Sequence, residues 1–313
     1  MIYVIAEIGF SHGGSLPLAV KMIESAAKAG ASAVKFQSFF AGDLYMPSHE
    51  LYQIFKAGEL SEADHAVLKK TAESCGVDFL STPFSPYWVD VLEKLNPAGF
   101  KIASMDINNP VLLKSVAEKK RKVYISTGAS DLREAGQAVS LLKENGAKDV
   151  CVFHCVSNYP TEPKDAMLHM IPKIRAELGV QAGFSDHTLG ISVPVAAAAL
   201  GAEVIEKHFT IDKSLPGPDH KISADPKELA ALVSALADVT AAINAEPSTS
   251  PRADAEKKSM MRRGIYAGKD IEQGEIITIN SLNLVRPEIT PLEKLDSFLN
   301  RPASKFYRSG EPL

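Results

Sequence analysis

The sequence predicts an α/β chain: a (β/α)8 TIM barrel followed by a small β-rich domain. Three observations predict it. Short runs of β-branched and aromatic residues alternate eight times with longer amphipathic runs, glycines close several of the amphipathic runs, and polar residues stand at the ends of the short ones. The eight units fill residues 1–245, close to the roughly 250 residues typical of such a barrel.

The units run in order. "YVIAEIG" (3–9) leads to "SLPLAVKMIESAAKAG" (15–30), "AVKFQSF" (33–39) to "SEADHAVLKKTAESCG" (61–76), and "DFLSTPF" (78–84) to "PYWVDVLEKL" (86–95). "GFKIAS" (99–104) precedes "NPVLLKSVAEKK" (109–120), "KVYISTG" (122–128) precedes "LREAGQAVSLLKENG" (132–146), and "DVCVFHCVS" (149–157) precedes "AMLHMIPKIRAELG" (166–179). "QAGFSDHT" (181–188) with "SVPVAAAALG" (192–201), and "EVIEKHFT" (203–210) with "PKELAALVSALADVTAAIN" (226–244), complete the set. Gly30, Gly76, Gly146, Gly179 and Gly201 fall where a helix should stop. Residues 246–258 then read as a charged, Pro/Ser/Thr-rich linker, and residues 259–313, with "GIYAGKDIEQGEIITINSLNLVRP", as the small second domain.

Composition narrows the function classes. The 313 residues are 45% hydrophobic and carry 34 basic against 38 acidic side chains, a formal charge of −4. That balance suggests neither a nucleic-acid nor a membrane partner, and the basic run Lys119–Lys122 reads as a solvated helix end. The N-terminal "MIYVIAEIG" lacks a basic leader and a cleavage site, and no run nears the roughly 20 apolar residues of a membrane span. Three cysteines, Cys75, Cys151 and Cys155, indicate no disulfide framework, and Cys151 and Cys155 share one side of a strand rather than a metal-binding CxxC. The expected compartment is the cytoplasm.

Active sites of such barrels lie at the C-terminal strand ends, where the loops converge. The polar residues there are Glu7; Lys35 and Gln37; Thr82; Lys101 and Ser104; Ser126; Ser157; Ser185 and His187; Glu206 and His208. A merely packed core would carry Val, Ile and Leu at these positions, so a convergent set from all eight strands marks a site without identifying its reaction. Alternation puts Ser185 with His187, and Glu206 with His208, on inward faces of adjacent strands. Two imidazoles so placed suit a divalent transition metal, or form a hydrogen-bonded pair of core histidines; spacing does not choose between them. Lys35 and Lys101 with the nearby hydroxyls form a cradle for a phosphate and a carboxylate; a Schiff-base nucleophile and a lysine tip reaching solvent are the alternatives.

Nine ordered stretches carry a family resemblance: "AEIGFSHGGS", "AVKFQ", "FLSTPF", "FKIAS", "STG", "HCVSNYPTEP", "GFSDHTLG", "VIEKHFT" and "LPGPDH". The chain resembles the sialic acid (N-acetylneuraminate) synthase family, which includes legionaminic, pseudaminic and spore-coat polysaccharide members, and its tail resembles that family's SAF (antifreeze-like) domain. The resemblance implies condensation of phosphoenolpyruvate with an N-acylated mannosamine-type sugar, giving a nine-carbon 2-keto acid and phosphate, with Mn²⁺ or Mg²⁺ as cofactor. It further implies His187 and His208 as metal ligands, and Lys35, Thr82, Lys101, Ser104, Ser126 and Ser185 as phosphoenolpyruvate contacts. Gln37, Phe84, Ser157, Tyr159 and Asp219 would complete the substrate site, with Arg286 reaching the acyl group across a domain-swapped homodimer. Glu7 and Asp106 would be the acid/base pair.

The chain departs from the family pattern in places. Ser11 stands where many members have Asn, "RPE" replaces "RPG" after Val285, and either Ser157 or Asn158 faces the ligand. The connection after "KFQ" is expected to be short and to shape sugar selectivity. Two other classes compete: a metal-dependent or Schiff-base barrel aldolase, which leaves "GPDH" and the tail unexplained, and a non-catalytic carbohydrate-binding protein, which leaves the polar strand ends unexplained.

Overall fold

The structure, a computed structural model, describes residues 2–217, 219–245 and 255–313. It comprises two compact units, Met1–Ala245 and Glu246–Leu313. In the first, eight parallel strands close a barrel in sequence order. They are β1 (Tyr3–Gly9), β2 (Ala33–Ser38), β3 (Asp78–Pro83), β4 (Gly99–Ile102), β5 (Lys122–Ser126), β6 (Val150–Cys155), β7 (Gln181–Asp186) and β8 (Val204–His208), with β8 pairing back onto β1.

The helices between them are α1 (Leu16–Lys28), α2 (Ala41–Leu44), α3 (Tyr52–Ala57), α4 (Glu62–Ser74), α5 (Pro86–Lys94), α6 (Pro110–Glu118), α7 (Leu132–Glu144), α8 (Met170–Leu178), α9 (Ser192–Ala199) and α10 (Pro226–Ile243). Reciprocal capping boxes start α4, α7 and α10 at Ser61/Asp64, Asp131/Glu134 and Asp225/Glu228. Gly179 closes α8 in the left-handed region, its N–H returning to Arg175 O. The α8 helix begins four residues later than the amphipathic pattern suggests. Pro172 has no N–H and is tolerated only in a first turn, which forces the start to Met170.

Outward strand residues such as Val34, Phe79, Phe100, Ile125, Val152, Phe184 and Ile205 pack under the helices. Inward residues Ile5, Ala33, Leu80, Tyr124, Cys151, Phe153 and Val204 fill the barrel. At the N-terminal end polar side chains satisfy one another: Tyr3 Oη donates to Asp78 at 2.6 Å, Lys122 to Gln181 at 2.7 Å and Gln181 to Glu203 at 3.1 Å. The basic run after α6 is absorbed likewise, with Lys119 on Asp90 and Arg121 on Glu93, each at 2.6 Å.

One expectation fails. The connection from β2 to the next barrel helix is long, spanning residues 39–61, and holds α2 and α3. Its apolar residues lack a sustained period, so the pattern does not resolve into helices.

In the second unit, α11 (Ala255–Met261) precedes β9 (Gly264–Ala267), which pairs antiparallel with β10 (Leu282–Val285), and α12 (Leu295–Phe298) follows. Ile265, Ile271, Ile277, Leu282 and Tyr307 form its core. The expected linker 246–258 lies outside the described residues up to 254, and its last four residues belong to α11. Among the described residues, no helix is long and apolar enough to cross a membrane.

Candidate active site

A cavity of about 730 Å³ opens at the C-terminal end of the barrel. Its floor comes from inward residues of neighbouring strands. Register sets Glu7 beside Lys35 and His208, Gln37 beside Thr82, and Ser185 beside Glu206. Lys35 Nζ lies 2.8 Å from Glu7 Oε2 and 3.6 Å from Glu206 Oε1, and it donates to Thr82 Oγ1 at 3.3 Å. Lys101 Nζ is 3.5 Å from the same Glu206 oxygen, which also accepts from Ser185 Oγ at 2.9 Å.

This two-lysine, two-glutamate floor is almost wholly buried, and its groups shift accordingly. Burial raises the Glu206 carboxyl, but Lys101 and Lys35 outweigh it and hold the group ionised, below the usual carboxylate range. Burial lifts Glu7 to about 7 against the pull of Lys35, with the like charge of Glu206 adding to the rise. Burial would lower Lys35, yet Glu206 and Glu7 together hold it above its ordinary value. Lys101 is lowered, since burial there exceeds the help it receives from Glu206.

At the rim, His187 and His208 face one another with ring centroids 5.5 Å apart, and the Tyr159 ring lies 4.1 Å from that of His187. His187 Nδ1 is 2.7 Å from Val156 O. A carbonyl only accepts, so Nδ1 carries the proton and the Nε2 lone pair is free. Burial lowers both imidazoles, His208 to about 3 with His187 adding to the effect, so both are neutral at pH 7. Asp219 Oδ2 approaches His208 Nδ1 at 3.9 Å, too far for a hydrogen bond and, with a neutral ring, no ion pair.

Three floor and rim atoms, Glu206 Oε2, Ser126 Oγ and His208 Nδ1, are buried without a hydrogen-bond partner among the described residues. Each such atom costs about 1–3 kcal/mol, and the N-terminal end of the barrel satisfies its polar groups where this end does not. Neutral imidazoles, an orphaned ring nitrogen and a nearby carboxylate form a donor set that fits a divalent transition metal. Among the described residues no group of three or more potential ligands is already assembled, so the rest of such a shell would come from substrate or water.

The cavity wall includes Glu7, Lys35, Gln37, Thr82, Phe84, Lys101, Ser104, Ser126, Ser157, Tyr159, Ser185, His187, His208 and Asp219 from the residues expected on sequence grounds. Ser157 rather than Asn158 lines it; Asn158 instead offers its carbonyl to Thr161. Asp106 is not on the wall. The short 3-10 turn Ser104–Asp106 directs its carboxylate to Asn109 Nδ2 at 2.9 Å. Arg286 follows β10 in the second unit and is exposed.

Sequence reasoning missed the apolar side of the cavity: Phe10, Leu44, Tyr45, Leu51, Ile54, Phe55 and Met105. Tyr45 and Phe10 pack on Phe55 at centroid distances of 5.0 and 5.2 Å. A Cβ on Gly58 would fall 2.1 Å from the Phe10 ring, so only glycine lets α3 approach this closely. The apolar density of "LYQIF" in what should be a solvated connection was the available signal.

The model of the NeuB family matches residues 22–247. The chain is 39% identical over 303 residues to N,N'-diacetyllegionaminic acid synthase of Legionella pneumophila, covering 91% of this chain and 85% of that protein. It is 36% identical over 326 residues to the synthase of the same name from Campylobacter jejuni, covering 98% and 97%. The crystal structure of N-acetylneuraminic acid synthetase from Leptospira borgpetersenii, in complex with citrate, is similar with a TM-score of 0.77 and 36% identity, over 82% of this chain and 89% of that one.

Proposed function

The chain belongs to the NeuB family and is a nonulosonic acid synthase, and from that premise we propose that it condenses phosphoenolpyruvate with an N-acylated mannosamine-type sugar, releasing phosphate. The observation that carries this reading is the buried floor of Lys35, Lys101, Glu7 and Glu206 set beside two neutral imidazoles. Lys35 and Lys101, with Thr82, Ser104, Ser126 and Ser185, bind the phosphate and carboxylate of phosphoenolpyruvate and offset their charge as the phosphate departs. Gln37, Phe84, Ser157, Tyr159 and Asp219 orient the open-chain sugar.

C3 of phosphoenolpyruvate bonds to the aldehyde carbon, whose oxygen takes a proton to become a hydroxyl; water adds at C2, and the C2–O bond breaks to leave the 2-keto acid and phosphate, the two protons of the water ending on the new hydroxyl and the phosphate. Glu7, held near neutrality, takes up the proton that the added water releases. Glu7 lines the cavity and Asp106 does not, which supports Glu7 as the carboxylate for this exchange. His187 Nε2 and His208 would hold Mn²⁺ or Mg²⁺, which supplies Lewis-acid polarisation of the aldehyde oxygen when bound.

The wall formed by Leu44, Tyr45, Leu51, Ile54 and Phe55 carries no charged group. A phosphorylated sugar pressed against it would lose hydration without gaining a partner. We therefore place a diacetamido-trideoxyhexose ahead of N-acetylmannosamine, and both ahead of N-acetylmannosamine 6-phosphate. Arg286 is proposed to reach the acyl group bound by a second copy of the chain in a homodimer. Removing residues 246–313 should then raise sugar KM while leaving phosphoenolpyruvate KM unchanged.

The test is phosphate release by purified protein with Mn²⁺ against these three sugars. Release that EDTA abolishes supports the reading. Absence of release together with borohydride trapping of substrate on Lys35 or Lys101 would replace it with a Schiff-base aldolase.

A further inference from the structure

Behind the two histidines, on the opposite face of the sheet, lies a charged pair that the proposed chemistry leaves unused. Asp186 and Lys207 are register partners on β7 and β8, and each immediately precedes one of the histidines. Alternation turns them outward under the helices while His187 and His208 turn toward the cavity. Their side chains are 0% and 2% exposed, with Lys207 Nζ 2.5 Å from Asp186 Oδ2. Lys207 also donates to Thr188 O at 2.6 Å, and Asp186 Oδ1 accepts from Thr188 N at 2.9 Å and Thr188 Oγ1 at 2.8 Å.

Packing alone does not account for this pair. The outward layer elsewhere on these two strands is Ala182, Phe184 and Ile205, and a buried ion pair is commonly no more stabilising than apolar side chains of the same volume. What the charges add is direction. The bond from Thr188 N to Asp186 Oδ1 closes a turn whose central residue is His187, and Lys207 ties that turn to the strand carrying His208. The His187 ring is held separately through Nδ1 on Val156 O, and its own carbonyl accepts from Thr161 N at 2.9 Å. Among the described residues His208 Nδ1 has no such bond, so the placement of this ring relative to His187 depends on how β8 ends.

We propose that Asp186 and Lys207 are positioning residues: their cross-strand clasp sets the separation of the His187 and His208 rings, and with it the affinity for a divalent cation. This rests on the two-histidine metal reading above. Lys207→Met alone leaves a buried, unpaired carboxylate, so the informative change is the double variant Asp186→Asn with Lys207→Met. It is neutral and keeps an oxygen for Thr188 N.

The experiment is a Mn²⁺ titration of the full chain without substrate, following the free ion by electron paramagnetic resonance, alongside thermal unfolding. The expected result is a Kd weakened about 10- to 100-fold, the range for residues that orient metal ligands, with an unfolding midpoint at or above that of the wild type. Thr188→Val, which removes a single hydrogen bond, should fold and weaken Mn²⁺ binding to a smaller degree, and it carries the test if the double variant does not fold. Ser81→Ala disturbs another buried outward network, in which Ser38 Oγ lies 2.6 Å from Ser81 Oγ and 2.7 Å from His65 Nε2; it should lower the midpoint with no change in Kd. A wild-type Kd in the folded double variant and in Thr188→Val, while His208→Ala loses Mn²⁺, overturns the clasp alone. No saturable Mn²⁺ binding by the wild type overturns the metal reading and the clasp with it.

Discussion

Replacing Glu206 by Ala tests the charge balance of the cavity floor. Glu206 Oε1 lies 3.5 Å from Lys101 Nζ and 3.6 Å from Lys35 Nζ. At an effective dielectric of about 20, each contact is worth roughly 4–5 kcal/mol in gross Coulomb energy. Removing Glu206 also removes its own desolvation penalty, so the net cost falls to about 3–5 kcal/mol, the range for stripping one partner from a buried pair. For a unit of this size, about 2–4 °C per kcal/mol gives a fall in unfolding midpoint of roughly 10 °C. The variant leaves two ammonium groups facing Glu7 alone, so phosphoenolpyruvate should raise its midpoint by more than it raises that of the wild type. Differential scanning fluorimetry with and without phosphoenolpyruvate measures both effects. A ligand-free midpoint within about 2 °C of the wild type, or a smaller ligand shift in the variant, would refute the view that Glu206 neutralises the two lysines in the resting site.

Other outcomes follow from the same geometry. Lys101→Met removes a charge-assisted contact of about 1.5–3 kcal/mol, so phosphoenolpyruvate KM should rise about 10- to 100-fold while sugar KM stays unchanged in steady-state assays. Burial holds Glu7 at about 7 against 4.5 in the unfolded chain; the native state then binds the extra proton between these values, and the contribution is full below about 4.5 and lost as pH rises through about 7. The midpoint of the wild type relative to Glu7→Gln should therefore decline from roughly pH 4.5 to roughly pH 7, and a constant difference would show that Glu7 is not raised. Gly58→Ala sets a methyl against the Phe10 ring, so it should raise sugar KM and spare phosphoenolpyruvate KM; unchanged kinetics would remove α3 from the acceptor wall.

The barrel was legible because its strands combine two periodicities. Outward positions are mostly apolar under the helices, inward positions are apolar at mid-barrel and polar toward the strand ends, and both trends survive in a single sequence. That pattern picks out Lys35, Lys101, Glu206 and His208 from the sequence alone. The segment 39–61 was not legible, because α2 and α3 are 4 and 6 residues long, too short to show a helical period, and they exist through packing of Phe55 on Phe10 and Tyr45. Asp106 came from the family resemblance and not from strand alternation; after β4 the chain enters a 3-10 turn, and one oxygen of its carboxylate accepts from Asn109. Asp186 and Lys207 lie 21 residues apart, and only the register of β7 on β8 reveals them as partners.

The triplet Glu206-Lys207-His208 also bears on how β8 finds its place. A slip of one residue would exchange its faces. Lys207 would then join Lys35 and Lys101 in the floor, three ammonium groups against the single carboxylate of Glu7, and the outward face would bring Glu206 or His208 against Asp186 with no cation to pair it. Both faces of the slipped arrangement are electrostatically mismatched, whereas in the native register each charge meets its opposite at 3.6 Å or less. The residues that equip the site thus also exclude the commonest error a strand makes, by penalising the alternative more than by stabilising the native state. Apolar replacement of Glu206 would remove that penalty on one face only, and Lys207 with Asp186 would still hold the other.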